Sequence, residues 1–387
     1  MEEVQTQKVE VQEVVSKPKP RMVEQDIAKG LAIILVMMLH ILTTKTELFN
    51  IMGGIVGFIM SLFFFLTGYN YKSGKTFKEN VTKRVKQILI PFLIYTFSIT
   101  IISGIYYVIT GEYTILEVLE TYANFLLTRN LGSLFGLTYA ARSVYTTILV
   151  GWFIQMMLVA SILFYAVVDL CLNNVASFLS ISIGCIVFTM TLTHFEVKLP
   201  FYIVEAPTIC VIFLFGALFK KYDLFYKSKL LWIIINSVIG YGLYLILAAM
   251  FQGAGLIMGG GLTSKYGAWE APLTILMCII SSYAFINFCK LLAKIKPVSF
   301  ILSWVGQNSL YYLLLHMVVR QYVVLIVGYK APSKEELTHM IEPMSILVLA
   351  LTIVGVTIFI ILRKFIKDKI KEAKDKKKPQ EIEGEAQ

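Results

Sequence analysis

Long apolar runs recur along the 387-residue chain, and they constrain its fold more than any other feature. Crossing roughly 30 Å of hydrocarbon takes about 20 helical residues, because only a helix or a closed barrel satisfies the backbone polar groups there. Runs of this helical length exclude a barrel. With 57% hydrophobic residues and a mean hydropathy of +0.73, the chain is also too apolar for an ordinary soluble domain. The sequence therefore predicts an all-α polytopic membrane protein.

The apolar runs predict about ten membrane-spanning helices. They lie at about residues 27–44, 52–71, 88–109, 145–169, 176–193, 203–219, 231–251, 271–289, 308–328 and 343–362. The longest connections on the outer side are then about 110–144 and 252–270. Residues 1–22 have no apolar signal-peptide core and are predicted to be a disordered tail. Residues 23–365 are predicted to form the membrane domain, and residues 366–387 are predicted to form a charged cytoplasmic tail.

The loop charges predict how the chain is oriented in the membrane. An even number of spans places both termini on one side, and cytoplasmic loops carry an excess of Lys and Arg. Thirteen such residues lie in the loops on the side of the N-terminus, and seven lie in the opposite loops. Both termini are therefore predicted to be cytoplasmic, in the plasma membrane. The net charge of +10 follows from this topology and from attraction to anionic lipids, so it does not require a nucleic-acid partner.

Ionisable residues inside a span cost roughly 2.5–3.5 kcal/mol each, so each one needs an explanation. The first helix carries Asp26, Lys29 and His40 on one face. Lys29 and His40 are roughly 16 Å apart along the axis, which excludes a direct pair. Lys29 is either an interfacial lysine whose ammonium reaches the headgroups or a phosphate contact, and His40 is either a packing hydrogen-bond donor or a catalytic group. The residues alone leave both choices open.

The other buried ionisable residues lie near the start of the sixth span and in the ninth. His316 and Arg320 are four residues apart and so share one face of the ninth helix. Glu205 is the only candidate carboxylate outside the first helix that could offset Arg320, and we hypothesise an ion pair between them. The five cysteines form no C-x-x-C motif, so neither a disulfide nor a metal site is expected.

Four segments resemble motifs of the acyltransferase 3 family, in the family's order. Asp26 to His40 is similar to its opening motif, in which a basic residue precedes a histidine by ten intervening positions. Phe64 to Tyr69 is similar to its F-x-x-S-G signature, and Arg84 with Pro91 to the basic start of its third span. The segment from Gly306 to His316, with Ser309 and two tyrosines, is similar to its late Gly, Ser, Tyr and His segment.

The sequence departs from the family at two of these positions. Lys29 stands where most members have arginine, and Thr67 stands where many have serine. The lysine form is similar to the fucose 4-O-acetylase-like branch. A lysine grips phosphate as a point charge and not as a planar fork, which leaves the contact made at position 29 open.

The resemblance implies a membrane-bound O-acyltransferase. It would move an acyl group, expected to be acetyl, from cytoplasmic acyl-CoA to a hydroxyl of a cell-envelope or exported glycan. His40 would act as general base or would itself be acylated transiently, because its reference pKa suits proton transfer at neutral pH. The residues expected to bind the donor are Lys29, Lys83 and Arg84. The residues expected to support the site or position the acceptor are Asp26, Thr67, Glu205, Ser309, His316, Arg320, Arg142 and Trp152.

Acyl-CoA is in this interpretation a substrate, and no permanently bound cofactor or metal is expected. The other expected partners are membrane lipids and the glycan acceptor, while the oligomeric state stays open. A transporter or flippase for a lipid or polysaccharide is the main alternative, because such proteins also have many helices and a few buried charges. The sequence shows no convincing repeat of one half in the other, which such folds often have. A non-catalytic partner in a glycan-assembly complex is a third possibility.

Overall fold

The computed structural model of the protein describes residues 22–134, 144, 148, 151–197, 199–225, 229–251, 267–332, 337 and 339–384. Within these ranges the secondary structure is helical, apart from one isolated antiparallel bridge between Thr44 and Ile341. The α-helices are α1 (Val23–Ile41), α2 (Thr46–Val56), α3 (Ile59–Tyr69), α4 (Phe77–Arg84), α5 (Ile90–Ile109), α6 (Ile115–Leu134), α7 (Trp152–Asn173), α8 (Val175–His194), α9 (Ala206–Lys221), α10 (Leu230–Met250), α11 (Glu270–Leu292), α12 (Lys296–Gln307), α13 (Ser309–Val327) and α14 (Pro343–Gly384).

Eight segments in the described part of the chain are long and apolar enough to cross a membrane. They are Thr46–Tyr69, Phe77–Ile109, Trp152–Asn173, Val175–His194, Leu230–Met250, Gly267–Leu292, Ser309–Val327 and Pro343–Ala373. The prediction of an all-α polytopic membrane protein is confirmed. Each of the ten predicted spans overlaps one or two helices of the structure. The two predicted spans that lie outside this set of eight are the first and the sixth, which correspond to α1 and α9. The total of ten and the orientation of the termini stay predictions.

The two exceptional helices lie at the centre of the bundle. Every residue of α9 from Ala206 to Leu214 is buried, and α9 packs against α3 and α7. Helix α1 packs mainly against α12 and α11. By contrast, only 17% of the most apolar part of α8 or of α10 is buried. Because protein surrounds these two helices, α9 can be as short as 16 residues and α1 can carry charged side chains. The outer helices face lipid, so they must be long and apolar enough to span the hydrocarbon.

Glycines bring the central helices into backbone contact. A Cβ atom on Gly30 of α1 would overlap the Leu302 carbonyl oxygen of α12, and a Cβ on Gly306 would overlap the carbonyl oxygen of Asp26. Small residues permit such close approach between membrane helices. The contact fixes α12 against the turn of α1 that carries Asp26 and Lys29.

Replacing Gly306 with valine is expected to destabilise the folded protein, because the new side chain would have to displace the backbone of α1. Overpacking of this kind typically costs about 1–3 kcal/mol, and backbone is harder to displace than a side chain. Thermal unfolding of the detergent-purified variants would measure the effect. Gly184→Val in α8 is the matched control, since no atom outside its own helix lies within 4 Å of a Cβ built there. Equal melting temperatures for the two variants would contradict the close packing.

Three helices were not predicted from the sequence. Helix α4 lies in the predicted loop between the second and third spans, α6 lies within the predicted outer connection 110–144, and α12 lies in the predicted loop after the eighth span. A capping box marks the start of α6: the Glu117 backbone N–H donates to Thr114 Oγ1 at 3.2 Å, and the Thr114 N–H donates to Glu117 Oε2 at 2.7 Å. Hydrogen bonds from the Thr114 backbone and then its hydroxyl lower the pKa of Glu117. This motif is the sequence signal that could have revealed the helix.

The predicted tails differ in what the structure shows of them. Helix α14 continues without a break to Gly384, so it extends well past the predicted end of the last span at 362 and through most of the predicted tail 366–387. Of the predicted tail 1–22, all but Met22 lies outside the described residues.

Candidate active site

A cavity of about 390 Å³ lies between α1, α3, α4, α7 and the junction of α12 with α13. Among the described residues that line it are five cations and no carboxylate; the cations are Lys29, Lys72, Lys75, Lys83 and Arg84. The hydroxyl-bearing residues Thr67 and Ser309 also line it. Five of the predicted site residues therefore share one space, which we call the cationic cavity. Its charge and size suit an anionic ligand with several phosphate oxygens.

Asp26 and Gln307 hold Lys29 in the cavity wall. The Lys29 Nζ lies 3.6 Å from Asp26 Oδ1, and the Gln307 Nε2 donates to Asp26 Oδ2 at 3.5 Å. The Asp26 side chain is only 4% exposed, and that of Lys29 is 24% exposed. Because Gln307 lies on α12 next to Gly306, the close contact of α1 with α12 also places this group. Asp26 is thus the partner that positions Lys29 in the cavity wall.

Helix α4 and the turn that follows it place Arg84. A capping box between Thr76 and Glu79 starts α4, and a wide π-helical turn, Val85–Leu89, connects it to α5. Pro91 follows in the first turn of α5 and lacks the N–H that a regular helix would use there. The Arg84 Nε donates to the Tyr165 hydroxyl at 2.7 Å. The guanidinium carbon also lies 5.8 Å from the centre of the Tyr165 ring, so the fork is held at the cavity.

Tyr71 and Tyr165 are wall residues that the sequence did not single out. The Tyr71 hydroxyl donates to Asp169 Oδ1 at 2.7 Å. Burial, followed by this hydrogen bond, raises the pKa of Tyr71, so it remains a protonated donor at neutral pH. The Tyr71 carbonyl accepts from Lys220, which ties the α3–α4 connection to α9. No motif marks either tyrosine, because their place in the wall depends on how α3, α4 and α7 pack.

A second polar cluster lies further along α1, where it meets α13. The rings of His40 and His316 have centroids 5.5 Å apart with an angle of 38° between their planes. His316 is fully buried, and its Nδ1 lies 2.8 Å from the Tyr312 carbonyl oxygen. A carbonyl can only accept, so Nδ1 carries the hydrogen; the Nε2 has no hydrogen-bond partner among the described residues. The His40 side chain is exposed. Both histidines were candidate site residues in the sequence, but the sequence did not predict that their rings lie close together.

Arg320 follows His316 by one helical turn and acts electrostatically on both imidazoles. The predicted ion pair between Arg320 and Glu205 is wrong: no such pair forms between these two described residues. Helix α13 packs against α1, α5 and α14, whereas α9, which Glu205 precedes, packs against α3 and α7. The Arg320 Nε is buried without a hydrogen-bond partner among the residues that the structure describes.

The remaining predicted residues lie elsewhere or outside the described residues. Trp152 is 8% exposed at the start of α7, where its ring lies 6.0 Å from that of Phe153 and 6.4 Å from that of Tyr202. Glu205 is partly buried just after a short 3₁₀ helix, Pro200–Tyr202, and its backbone N–H donates to the Tyr202 carbonyl at 3.2 Å. Neither residue lines the cationic cavity. Arg142 lies outside the described residues.

The fold and the two clusters define a multi-pass membrane protein with a polar site inside its helix bundle. Residues 23–364 match the acyltransferase 3 family model, which describes an acyltransferase domain, and the chain belongs to this family. The resemblance of the four motifs is thereby confirmed at the level of the family, and the fucose 4-O-acetylase-like branch stays a prediction. No curated protein and no solved structure matches the chain.

Proposed function

We propose that the protein transfers an acyl group, acetyl in the simplest case, from cytoplasmic acyl-CoA to a hydroxyl of a cell-envelope or exported glycan. The observation that carries this proposal is the cationic cavity, which is lined by Lys29 of the same helix that presents His40. The loop charges favour the cytoplasm for the cavity end of α1 and the opposite side for its His40 end. The protein would then act in the plasma membrane with its N-terminus inside.

The cationic cavity is suited to the phosphates of the donor. Lys29, Lys83 and Arg84 supply positive charge from α1 and α4, and the arginine adds a planar fork that can bind two phosphate oxygens. The distance along α1 from Lys29 to His40 is roughly 16 Å. The long pantetheine arm of coenzyme A can cover this distance and bring the thioester to the histidines. Thr67 and Ser309 would contact the donor with their hydroxyls.

His40 acts as the general base in this scheme. Its imidazole takes the proton of the acceptor hydroxyl while the oxygen attacks the carbonyl carbon of the thioester. Collapse of the tetrahedral adduct breaks the carbon–sulfur bond, and the leaving thiolate takes the proton from the imidazolium. The products are an ester and free coenzyme A, so the atoms and charges balance without another reactant.

His316 serves as a positioning residue for His40. Its Nδ1 hydrogen is engaged by the Tyr312 carbonyl, which leaves the Nε2 lone pair able to accept a hydrogen bond. A nearby acceptor holds a catalytic imidazole in one tautomer and stabilises its protonated form, as the aspartate does in serine hydrolases. The centroid distance of 5.5 Å makes His316 the candidate for this role.

Replacing Arg84 with glutamine is expected to raise the KM for acetyl-CoA about tenfold with little change in kcat, because a charge-assisted phosphate contact is worth about 1.4 kcal/mol or more. Lys29→Ala should act in the same direction. Steady-state kinetics at varied acetyl-CoA would measure both. Lys78→Ala is the matched control, since Lys78 lies on α4 but does not line the cationic cavity. An unchanged KM in both cavity variants would contradict the donor site.

The proposed function is tested by comparing alkali-labile acyl esters on envelope glycans from cells that produce the wild type or His40→Ala. Equal amounts of membrane-inserted protein are the control. We expect the esters in the wild type alone. A transporter or flippase would move its cargo without consuming acyl-CoA, so transport activity with no acyl esters would favour that alternative.

A further inference from the structure

Arg320 is a partly buried cation of the helix bundle that has no counterion among the described residues. Among the described residues its guanidinium forms no ion pair and no hydrogen bond, and its Nε is buried. Arginine stays protonated in proteins, so the group cannot become neutral to avoid this cost. An uncompensated buried charge is strongly unfavourable unless a ligand supplies the opposite charge. The absence of a partner therefore points to an anionic ligand.

The neighbours of Arg320 do not supply that charge. His40 and His316 are its imidazole neighbours, and a histidine is neutral or positive. Tyr329 is the other group that interacts with it electrostatically. The Tyr329 hydroxyl donates to Thr43 Oγ1 at 2.9 Å, and burial above all raises the pKa of Tyr329, so it stays neutral. The Glu342 carboxylate acts on Tyr329 and not on Arg320, so none of the described groups that act directly on Arg320 carries a negative charge.

The position of Arg320 along α13 distinguishes this ligand from the donor. Helix α13 begins at Ser309 in the wall of the cationic cavity, and Arg320 lies roughly 16 Å further along the helix axis. His316 lies between the two, opposite His40. Arg320 is therefore on the far side of the histidine pair from the donor phosphates. A group bound there belongs to the molecule that meets the thioester from the opposite side.

We propose that Arg320 binds a carboxylate or phosphate of the acceptor, so that the enzyme selects hydroxyl acceptors that carry a negative charge. This inference rests on the proposed acyl transfer and names the chemical class of its acceptor. The guanidinium fork matches both anions with two parallel hydrogen bonds. Binding one of them beside His40 would hold a neighbouring hydroxyl at the base and would supply the counterion that the described residues do not provide.

The test compares three sugars that share most of their hydroxyls and differ in charge: methyl β-glucuronide, glucose 1-phosphate and the neutral methyl β-glucoside. Binding to the purified full-length protein in phosphatidylcholine nanodiscs is measured by calorimetry with coenzyme A at saturation, so that the cationic cavity is filled. We expect at least one anionic sugar to bind about tenfold more tightly than the glucoside, equivalent to about 1.4 kcal/mol. Whether the glucuronide or glucose 1-phosphate binds more tightly shows whether Arg320 prefers a carboxylate or a phosphate.

Variants assign the preference to Arg320. Arg320→Gln should remove the difference between charged and neutral sugars, and Arg320→Lys should retain part of it. Lys330→Gln is the matched control, since Lys330 is an exposed cation just beyond the same helix. Three results would overturn the proposal: no preference for an anion in the wild type, including no binding of any sugar; a preference that survives Arg320→Gln; or a loss that Lys330→Gln reproduces.

The outcome is separable from the proposed function. Binding is measured without turnover, so a lost anion preference removes only the assignment of Arg320. Loss of acyl-CoA consumption in His40→Ala would still support acyl transfer. Conversely, an anion preference that depends on Arg320 in a protein that never consumes acyl-CoA would leave the site standing and remove the reaction.

Discussion

Replacing His40 with alanine is expected to lower kcat for acyl transfer by about 10²- to 10⁴-fold, the range typical for loss of a general base. The acceptor hydroxyl would have to attack the thioester without losing its proton to a positioned imidazole. The KM for acetyl-CoA should change little, because the donor phosphates bind at the other end of the path along α1. The release of free coenzyme A thiol by purified protein, followed over time, measures the rate.

His194→Ala is the matched control for this variant. His194 is an exposed histidine at the end of α8 and lies in neither polar cluster. Its replacement should leave kcat unchanged. The His40 side chain is itself exposed, so alanine there should preserve the fold and the melting temperature. Acyl transfer at the wild-type rate in folded His40→Ala would remove His40 from the mechanism.

Replacing His316 with leucine is expected to lower kcat about 10- to 100-fold, comparable to the loss when a group that orients a metal-bound histidine is removed. Leucine fills much of the buried volume but cannot accept a hydrogen bond from His40. The acetyl-CoA KM should again stay near its wild-type value, since His316 does not line the cationic cavity. The same thiol-release kinetics would give both constants.

His316→Asn separates positioning from packing. Asparagine keeps a hydrogen-bond acceptor and should recover part of the activity that leucine loses, although it fills the site less well. If His316 only packed against α1, leucine would be the better tolerated variant. Higher activity in His316→Leu than in His316→Asn, at equal amounts of folded protein, would therefore contradict the positioning role.

Helical periodicity predicted much of what lies within single helices. The apolar runs predicted where helices lie, and the spacing along α1 predicts that Asp26, Lys29 and His40 share one face. The order of the family motifs singled out Lys29, Thr67, Arg84 and Ser309 as candidate site residues. The structure places all four in the wall of one cavity. Each of these predictions depends on residues that are close together in the sequence.

Contacts between distant helices were not predictable in this way. The meeting of His40 with His316 depends on how α1 packs against α13, and no residue pattern reports it. The pairing of Glu205 with Arg320 failed for the same reason: opposite charges were matched without knowing that their helices are not neighbours. Helix α12 packs closely against α1, where Gly30 of α1 and Gly306 of α12 allow backbone contact. Its lysine and its length of 12 residues made this segment resemble a loop in the sequence.

The central claim is that an acyl group moves from a cytoplasmic donor to an acceptor on the opposite side of the membrane. Inverted membrane vesicles test this claim most directly. Acetyl-CoA labelled in the acetyl group is supplied to the exposed cytoplasmic face, and glycans enclosed in the lumen are then analysed for labelled ester. We expect label on the enclosed glycans with the wild type and none with His40→Ala. Labelled coenzyme A thioester that stays unconsumed in wild-type vesicles, or equal labelling with the variant, would contradict the account.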